Sequence, residues 1–241
     1  MRQSALLSNT KVCRRPFRSE LIVCRSQRST DTAVEGLKSE LKRAVANTRR
    51  GKKATVEQQK EILRRVMALE AQNPTKDPAS SPLLSGNWSL LYTGPGKDDD
   101  ETWEKRTGGV EGPVLAALRP LSANAVSSRG ITQVIDAEGG TVQNVADFRI
   151  ANSINGYLNV EGTVAPVEGS GEAVRVDVKF TAFCLKIGAL PQLKVPLGWS
   201  NPTGWVDTTY LDNDTRIGRG DKGSVFVTAR KGTRADLATD E

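Results

Sequence analysis

Histidine is absent from this chain of 241 residues. Its absence excludes the Ser-His-Asp and Cys-His mechanisms, histidine acid–base catalysis and metal sites built on histidine. The absence of histidine does not exclude catalysis by carboxylate, lysine or tyrosine side chains. We therefore predict that the protein is not an enzyme, has no catalytic residues and carries no cofactor or metal. An enzyme acting through Tyr210 or Asp212 is the weaker alternative.

Cysteines and long apolar runs are also scarce. Cys13 and Cys24 lie near the N-terminus, so the rest of the chain holds Cys184 alone and cannot form an internal disulfide. Cys184 stands in an apolar run, which predicts a buried and inert thiol. No stretch approaches the roughly 18 consecutive apolar residues of a membrane span. Any contact with lipid is therefore expected to be peripheral or within a cavity.

The net charge of +6 resides in the first 30 residues, which contain seven Arg or Lys residues and one Glu. The balanced remainder disfavours nucleic-acid binding, because a surface that follows phosphates needs an excess of basic side chains. Residues 1–30 are rich in Ser and Arg, and their longest apolar run, at 21–24, is too short for a secretory signal. This composition predicts a disordered plastid transit peptide, cleaved near residues 24–26. A disordered basic tail is the alternative.

Residues 31–74 are predicted to form an N-terminal helical region. Apolar residues recur across residues 31–48 with the 3.6-residue period of an amphipathic helix. A second helix opens at Thr55, where Gln58 completes a capping box, and it stops at Asn73-Pro74. Its apolar stripe consists of Val56, Ile62, Leu63, Val66 and Leu69.

From residue 83 to residue 231 the chain changes to short apolar runs separated by Gly, Pro, Asn and Asp, which is typical of an all-β sandwich or barrel. Val176, Val178 and Phe180 alternate with polar residues, so one face of their strand is expected to be buried. We predict a mainly β protein: a lipocalin-like antiparallel β-barrel of about eight strands, preceded by two amphipathic α-helices and followed by a polar tail at 232–241. The predicted strands are 88–93, 102–106, 125–136, 141–150, 157–166, 173–187, 205–211 and 224–231.

Three connections between these strands have distinct compositions. Residues 98–101 are expected to form a solvated acidic loop, and residues 112–121 a helical turn or lid. Residues 188–204 are interpreted as a Pro-rich apolar loop rather than a strand. A closed barrel of eight strands has room for its own side chains or for one small ligand, so binding in a cavity is physically available.

Gly86-Asn87-Trp88 opens the first strand in the manner of the Gly-x-Trp that begins lipocalin barrels. In that arrangement the indole plugs one end of the barrel, and an arginine from a late strand lies across its face with a cation–π contact of roughly 1 kcal/mol. Arg216 and Arg230 are the candidates for this partner. A purely structural core tryptophan fits the sequence equally well.

The segment from Gly218 to Gly223 has the spacing of a dinucleotide-binding loop, but it precedes a predicted strand instead of a helix. We expect its glycines to permit positive φ in a tight hairpin. Asp212 and Asp214 suggest a calcium loop, yet Arg216 stands where a ligand oxygen is required. Turn capping or a salt bridge is expected there instead of a metal.

Three stretches resemble the plastid lipid-associated protein family, also called plant fibrillins or plastoglobulins. They read LEAQNP at residues 69–74, LLSGNWSLLYT at 83–93 and TYLDNDTRIGRGDKGSVFV at 209–227, and the resemblance covers residues 31–231. Thr215 and Gly218 depart from the pattern, where Leu and Ser are usual, which blurs the subgroup. The family's C-terminal motif falls on Tyr210, Leu211, Asp212, Asp214, Arg216, Ile217, Arg219, Gly220 and Gly223.

The resemblance implies residence in chloroplasts or other plastids, at plastoglobules, at thylakoids or in stroma, with a lipocalin-like domain at residues 83–231. We predict a noncatalytic protein that binds or coats hydrophobic lipids such as prenylquinones, carotenoids or fatty acids, because burial removes their hydrocarbon surface from water. Its partners would be such small molecules and a peripheral lipid surface, without nucleic acid. The residues expected to line the cavity or core are Trp88, Leu90, Tyr92, Phe148, Val176, Val178 and Phe180.

A structural or interaction protein with no ligand cavity is the second reading. In it the two helices and the loop at residues 190–199 lay apolar faces on a lipid monolayer or on a protein partner. Helices that only pad the barrel are equally compatible with the sequence.

Overall fold

The computed structural model describes residues 18–97, 126–167, 174–199 and 201–232. Residues 1–36 and residues 37–241 form two separate contact units, and the described part of the first unit is helical. Several predicted features lie outside the described residues, namely the acidic loop at 98–101, the strand at 102–106, the turn at 112–121 and the tail beyond 232.

Two helices precede the sheet, α1 at Arg18–Val45 and α2 at Val56–Glu70. The predicted capping box opens α2: the Gln58 amide donates to Thr55 Oγ1 at 3.3 Å, and the Thr55 amide donates to Gln58 Oε1 at 2.9 Å. These bonds satisfy two backbone donors that a helix N-terminus otherwise leaves unpaired. Both predicted helices are confirmed, and α1 begins at Arg18, within the segment interpreted as a leader.

Nine strands follow, and seven of them match predicted strands to within three residues at each end. The nine are β1 (Gly86–Pro95), β2 (Val126–Asp136), β3 (Thr141–Ile150), β4 (Ile154–Pro166), β5 (Arg175–Ile187), β6 (Leu193–Pro196), β7 (Thr203–Leu211), β8 (Thr215–Gly220) and β9 (Ser224–Arg230).

The interpretation of residues 188–204 as a loop without a strand is wrong, because β6 lies inside it. β6 pairs with Ala182–Leu185 of β5. The sequence did not predict β6 because the strand is four residues long and its side chains are mostly exposed, so apolar and polar residues do not alternate in it.

The predicted hairpin glycines divide into two kinds. Gly223 has φ +71° in the turn between β8 and β9, as expected. Gly218 and Gly220 instead lie within β8, where an added Cβ would approach Val206 Cγ1 and Phe226 Cε2 to 3.0 Å. These two glycines therefore permit close packing inside a strand.

All nine strands form one antiparallel sheet in the order β4-β3-β2-β1-β9-β8-β7-β5-β6. A further pairing between β4 and β5 closes the sheet on itself, so that eight strands form a ring and β6 adds to β5 outside that ring. The predicted closed antiparallel sheet of about eight strands after two helices is confirmed. Closure leaves both β4 and β5 without an open edge over most of their length.

An apolar cluster around Trp88 fills one end of the ring. Two short 3-10 turns, Pro78–Ser80 and Pro82–Leu84, lie against this cluster, and Trp88 Nε1 donates to the Leu84 carbonyl at 3.0 Å. The turns therefore close this end over the indole, which lies at one end of the ring as the Gly-x-Trp pattern predicted. The buried members of the cluster are Ala79, Leu84, Trp88, Ile135, Val142, Val164, Val176, Val178 and Leu211.

A helical layer covers one side of the ring. α2 contacts β1 and β7, which flank β8 and β9 in the sheet order. Val225, Val227 and Ala229 are no more than 1% exposed although they alternate with Thr228, which points into the ring. The face of α2 that covers them is the predicted stripe, of which Ile62, Leu63, Val66 and Leu69 are buried.

Candidate functional site

The interior of the ring can be traced from strand to strand by paired residues, because directly opposed side chains in an antiparallel sheet lie on the same face. Trp88 of β1 is paired with Gln133, and Gln133 with Asn144. Asn144 is paired in turn with Val160, and Val160 with Phe183. All five side chains therefore face inward. Gln133 Nε2 donates to Asn144 Oδ1 at 2.8 Å, so the interior contains polar groups beside its apolar cluster.

Arg230 is the arginine that fixes the tryptophan plug. Its guanidinium carbon lies 4.3 Å from the centroid of the Trp88 ring. The same guanidinium donates to the backbone carbonyls of Leu83 and Ser85 at 2.6 and 2.9 Å, and to that of Asn213 at 2.7 Å. Arg230 thus joins β9 to the 3-10 turns across the indole, which confirms one of the two predicted partners.

Arg216, the second predicted partner, lies deeper. Its guanidinium carbon is 5.5 Å from the Trp88 centroid, and the residue is 6% exposed. Nη2 donates to Gln133 Oε1, and Nε reaches Thr228 Oγ1 at 3.5 Å. Burial, together with the positive charge of Arg230, lowers the pKa of Arg216 to about 10. Both acceptors are neutral, so the described residues provide this buried cation with no carboxylate.

The residues predicted to line the cavity occupy different places. Trp88, Val176 and Val178 lie together in the apolar cluster, and the partly buried Phe180 packs against them. Phe148 is buried further along β3, where its ring covers Gly156.

The remaining two predicted residues, Leu90 and Tyr92, lie on opposite faces of β1. Leu90 is paired with Thr228 and so faces inward. A bulge separates Leu90 from Tyr92, and the Tyr92 ring lies beside Gly51 in the connection between α1 and α2. The structure therefore brings six of the seven residues to the interior and leaves Tyr92 under the helical layer. The bulge, which reverses the alternation, leaves no signature in the sequence.

The end of the ring opposite the 3-10 turns carries exposed apolar side chains. Ile154, Leu190 and Leu193 are 44%, 63% and 54% exposed. They lie close together because the Gly188 amide donates to the Asn155 carbonyl at 2.8 Å, which joins the β3–β4 turn to the β5–β6 turn. We call Ile154, Leu190 and Leu193 the apolar rim. Trp199, beyond β6, is 83% exposed.

The acidic residues of the C-terminal motif form turn caps and salt bridges, as predicted. Asp212 Oδ1 accepts from the amides of Asp214 and Thr215 at 2.9 and 2.7 Å. The ammonium of Lys38, which is 4% exposed on α1, lies 2.9 Å from Asp212 Oδ2 and also contacts Asp214. Although burial raises the pKa of Asp212, hydrogen bonds from Tyr210 and Lys38 lower it overall.

A second contact from the motif holds α2. Arg219 donates through Nε and Nη2 to the two carboxylate oxygens of Glu70, each at 2.7 Å. Thr209 donates to the same carboxylate at 2.6 Å, and Asn73 accepts from the Leu211 amide at 3.0 Å. The hydrogen bonds to Glu70 raise the pKa of Arg219. These polar contacts fasten α2 to the ring, so much of the motif is structural.

A groove of about 460 Å³ lies on the outer face of β4, β5 and β7. Arg175 stacks over Trp205 at 3.8 Å beside it and donates to Asp207 Oδ1 at 2.6 Å. Exposed charged side chains make this groove a poor site for hydrocarbon. Its lining consists of Thr163, Ala165, Asp177, Val178, Lys179, Thr203, Gly204 and Trp205.

The predictions for Cys184 and for membrane-spanning segments can also be compared with the structure. Cys184 is a buried free thiol, and its pKa is raised chiefly by burial, as expected for an inert cysteine. Across the described ranges, no helix is both long and apolar enough to cross a bilayer.

Sequence reasoning missed the inward polar residues Gln133, Asn144 and Thr208. Gln133 and Asn144 occupy inward positions of strands that were correctly predicted, so alternation with Ile135 and Val142 is the signal that could have located them.

Comparison with known proteins agrees with this architecture. The profile of the PAP_fibrillin family matches residues 35–229. The chain is 28% identical to the chromoplast-specific carotenoid-associated protein C1 of an Oncidium hybrid cultivar, over 84% of this chain and 71% of that protein. It is 31% identical to plastid lipid-associated protein 2 of Brassica campestris, over 83% and 70%. It is 29% identical to plastoglobulin-1 of Pisum sativum, over 84% and 63%. No solved structure matches the chain.

These relatives are named as chloroplastic or chromoplastic proteins, in agreement with the predicted plastid location. The family profile covers both the helical layer and the closed sheet. The chain therefore belongs to the PAP_fibrillin family of lipid-associated plastid proteins.

Proposed function

We propose that this protein is a noncatalytic lipid-binding protein that holds the hydrocarbon part of a plastid lipid inside its closed sheet. Prenylquinones, carotenoids and fatty acids are the lipid classes in question. The observation that carries the proposal is the ring itself, with an apolar cluster drawn from its strands around Trp88, one end closed by the 3-10 turns and the other end bordered by apolar side chains. Hydrocarbon buried there contributes about 25 cal/mol per Å².

The inner wall supports this reading beyond the cluster at Trp88. Leu158 and Val160 of β4 are 2% and 7% exposed, and Phe183 and Leu185, paired with them on β5, are only half-buried. Half-buried aromatic and aliphatic side chains facing the interior leave apolar surface for a ligand to cover.

A pair of tryptophan substitutions on β4 tests where the lipid lies. Val160 faces inward, whereas Thr163 faces outward in the groove described above. Val160→Trp fills the interior, and we expect it to lower lipid uptake from plastid-lipid vesicles at least tenfold. Thr163→Trp fills the outer groove and is expected to leave uptake unchanged. Uptake is measured by separating protein from vesicles and analysing its lipids by mass spectrometry. Undiminished uptake by a folded Val160→Trp protein would overturn the proposal.

The apolar rim supports a peripheral contact with lipid surfaces. Ile154, Leu190 and Leu193 project from one end of the ring, and the Lys186 ammonium donates to the Leu190 carbonyl nearby at 2.6 Å. Exposed apolar residues beside a cation are suited to the boundary between lipid headgroups and chains. The predicted alternative of attachment through α2 has less support, since most of its apolar stripe is buried against the sheet.

Flotation with lipid droplets distinguishes these two surfaces. We expect the double variant Leu190→Glu, Leu193→Glu to lose most of its flotation, because both side chains would bring charge into the lipid boundary. Met67→Glu is the matched control, since Met67 is 53% exposed on α2. Loss of flotation by the Met67 variant, with retention by the rim variant, would assign attachment to the helix.

A further inference from the structure

Arg216 and Arg230 both approach Trp88, but only for Arg230 do the hydrogen bonds explain why a cation lies there. Arg230 is hydrogen-bonded to three backbone carbonyls that hold the plug in place. Arg216 is almost fully buried, yet its acceptors in the described residues are the neutral oxygens of Gln133 and Thr228. Since Arg230 already stacks closer to the indole, plugging the ring does not account for a second buried cation.

Unpaired hydroxyls lie in the next row of inward residues. Thr208 is fully buried, and its hydroxyl oxygen has no hydrogen-bond partner in the described parts of the chain. The Thr93 hydroxyl oxygen is likewise buried and unpaired within those ranges. Thr208 is paired with Gly218, two residues from Arg216 on β8, and Thr93 is paired with Phe226 across β9. Both hydroxyls therefore belong to the inner wall, one row of inward residues away from Arg216.

Such an arrangement is costly when empty. A buried cation needs an opposite charge to offset the loss of its hydration, and buried hydroxyls normally have partners. An anion that accepts from the Arg216 guanidinium would supply the missing opposite charge and remove the first of these penalties.

We propose that the ring selects a lipid with a single carboxylate headgroup, held by Arg216, while its hydrocarbon chain extends past Val160 and Phe148 towards the apolar rim. This inference rests on the proposed function and narrows it to fatty-acid-like ligands. One negative charge matches the one charge of Arg216, for which the described residues provide no carboxylate. A phosphate monoester carries about −1.5 to −2 charges near pH 7 and would leave an excess, whereas a carotenoid or quinone would leave Arg216 uncompensated.

The test compares three sixteen-carbon ligands, palmitate, hexadecanol and hexadecyl phosphate, by tryptophan-fluorescence titration at pH 7.5. The wild-type chain is expected to bind palmitate about tenfold to a hundredfold more tightly than hexadecanol, the range for hydrogen bonds to a charged group. Arg216→Gln is expected to lose this preference and to keep its affinity for hexadecanol. Arg175→Gln, which changes an arginine on the outer face, is the matched control and should retain the preference.

The outcomes separate the inference from the proposed function. Equal affinity of the wild-type chain for acid and alcohol, a preference that persists in Arg216→Gln, or tighter binding of hexadecyl phosphate would overturn the carboxylate site while leaving lipid binding intact. Absence of binding for all three ligands would also overturn the carboxylate site, and the proposed function would fail with it if the chain takes up no lipid from plastid-lipid vesicles.

A second measurement needs no variant. Palmitate labelled with ¹³C at its carboxyl carbon is bound to the wild-type chain, and its resonance is followed as the pH is lowered. The Arg216 cation is expected to lower the pKa of the bound carboxyl below that of palmitate in solution, because it stabilises the ionised form. A bound carboxyl with an unchanged or raised pKa would contradict the site.

Discussion

Lys38 shows how single side chains of distant segments hold this molecule together. Its ammonium is buried between Asp212 and Asp214, while Tyr210 donates to Asp212 Oδ2 at 2.7 Å. The sequence indicated that the two aspartates would cap a turn or form a salt bridge, because Arg216 stands where a calcium loop requires a ligand oxygen. It could not identify Lys38 as the partner, because only the docking of α1 brings that residue to the turn.

The pH dependence of stability tests this contact. The pKa of Asp212 is lowered in the folded state, so its carboxylate stabilises the fold above about pH 4, the ordinary pKa of an aspartate, and this contribution is lost as the pH falls through the lowered pKa. We expect Asp212→Asn to reduce the free energy of unfolding at pH 7, with the difference from wild type shrinking between pH 4 and pH 2. Urea denaturation at several pH values measures it.

The exposed Asp177 provides a matched control for that titration. Asp177→Asn removes the same charge without removing a buried contact, so its free energy of unfolding should follow wild type at each pH. A pH-independent deficit in Asp212→Asn would mean that the Asp212 side chain acts through packing or neutral hydrogen bonds instead of its charge.

At the scale of elements, α2 is a structural layer. Val66 is fully buried in its stripe, and the neighbouring Met67 is 53% exposed. We expect Val66→Ala to lower the free energy of unfolding by about 2 kcal/mol, because it removes buried methyl groups and leaves a cavity. Met67→Ala should change it little. Chemical denaturation measures both, and equal small effects would show that the stripe is not packed on the sheet.

Hydrophobic period and capping chemistry predicted most elements because those signals are local. Thr55 and Gln58 located the start of α2, and alternation through Val176 and Val178 located β5. β8 was not recognised because Arg216, Gly218 and Arg219 give it the composition of a turn. Its burial comes from neighbours on both sides, β7 and β9, which are contributed by other parts of the chain.

The candidate site was only partly predictable for a similar reason. Trp88 and both of its arginines were identified from the sequence, but only the role of Arg230 follows the known arrangement. Tyr92, expected in the cavity or core, is buried under the helical layer instead of inside the ring, because a bulge at β1 reverses the alternation. The burial of the Thr208 hydroxyl could not be predicted, because the closed ring that surrounds it is built from distant parts of the chain.

At the scale of the whole molecule, closure of the sheet through the β4–β5 pairing is what creates an interior. An open sheet with the same strands would place Phe148, Leu158 and Phe183 on an exposed face. In the ring they face a space closed by the 3-10 turns at one end and bordered by the apolar rim at the other. The helical layer packs on the outside of this ring, whereas the lipid-binding face that we propose is the inner one, so the two use different faces of the same strands.

The most direct test is to observe contacts between a bound lipid and the wall. With ¹³C-labelled protein and an unlabelled fatty acid, isotope-filtered nuclear Overhauser effects should connect the lipid chain to the methyl groups of Leu158, Val160 and Leu185, which face inward. Contacts confined to Ala165 in the outer groove or to Met67 on α2, with none to the inward methyl groups, would contradict the account.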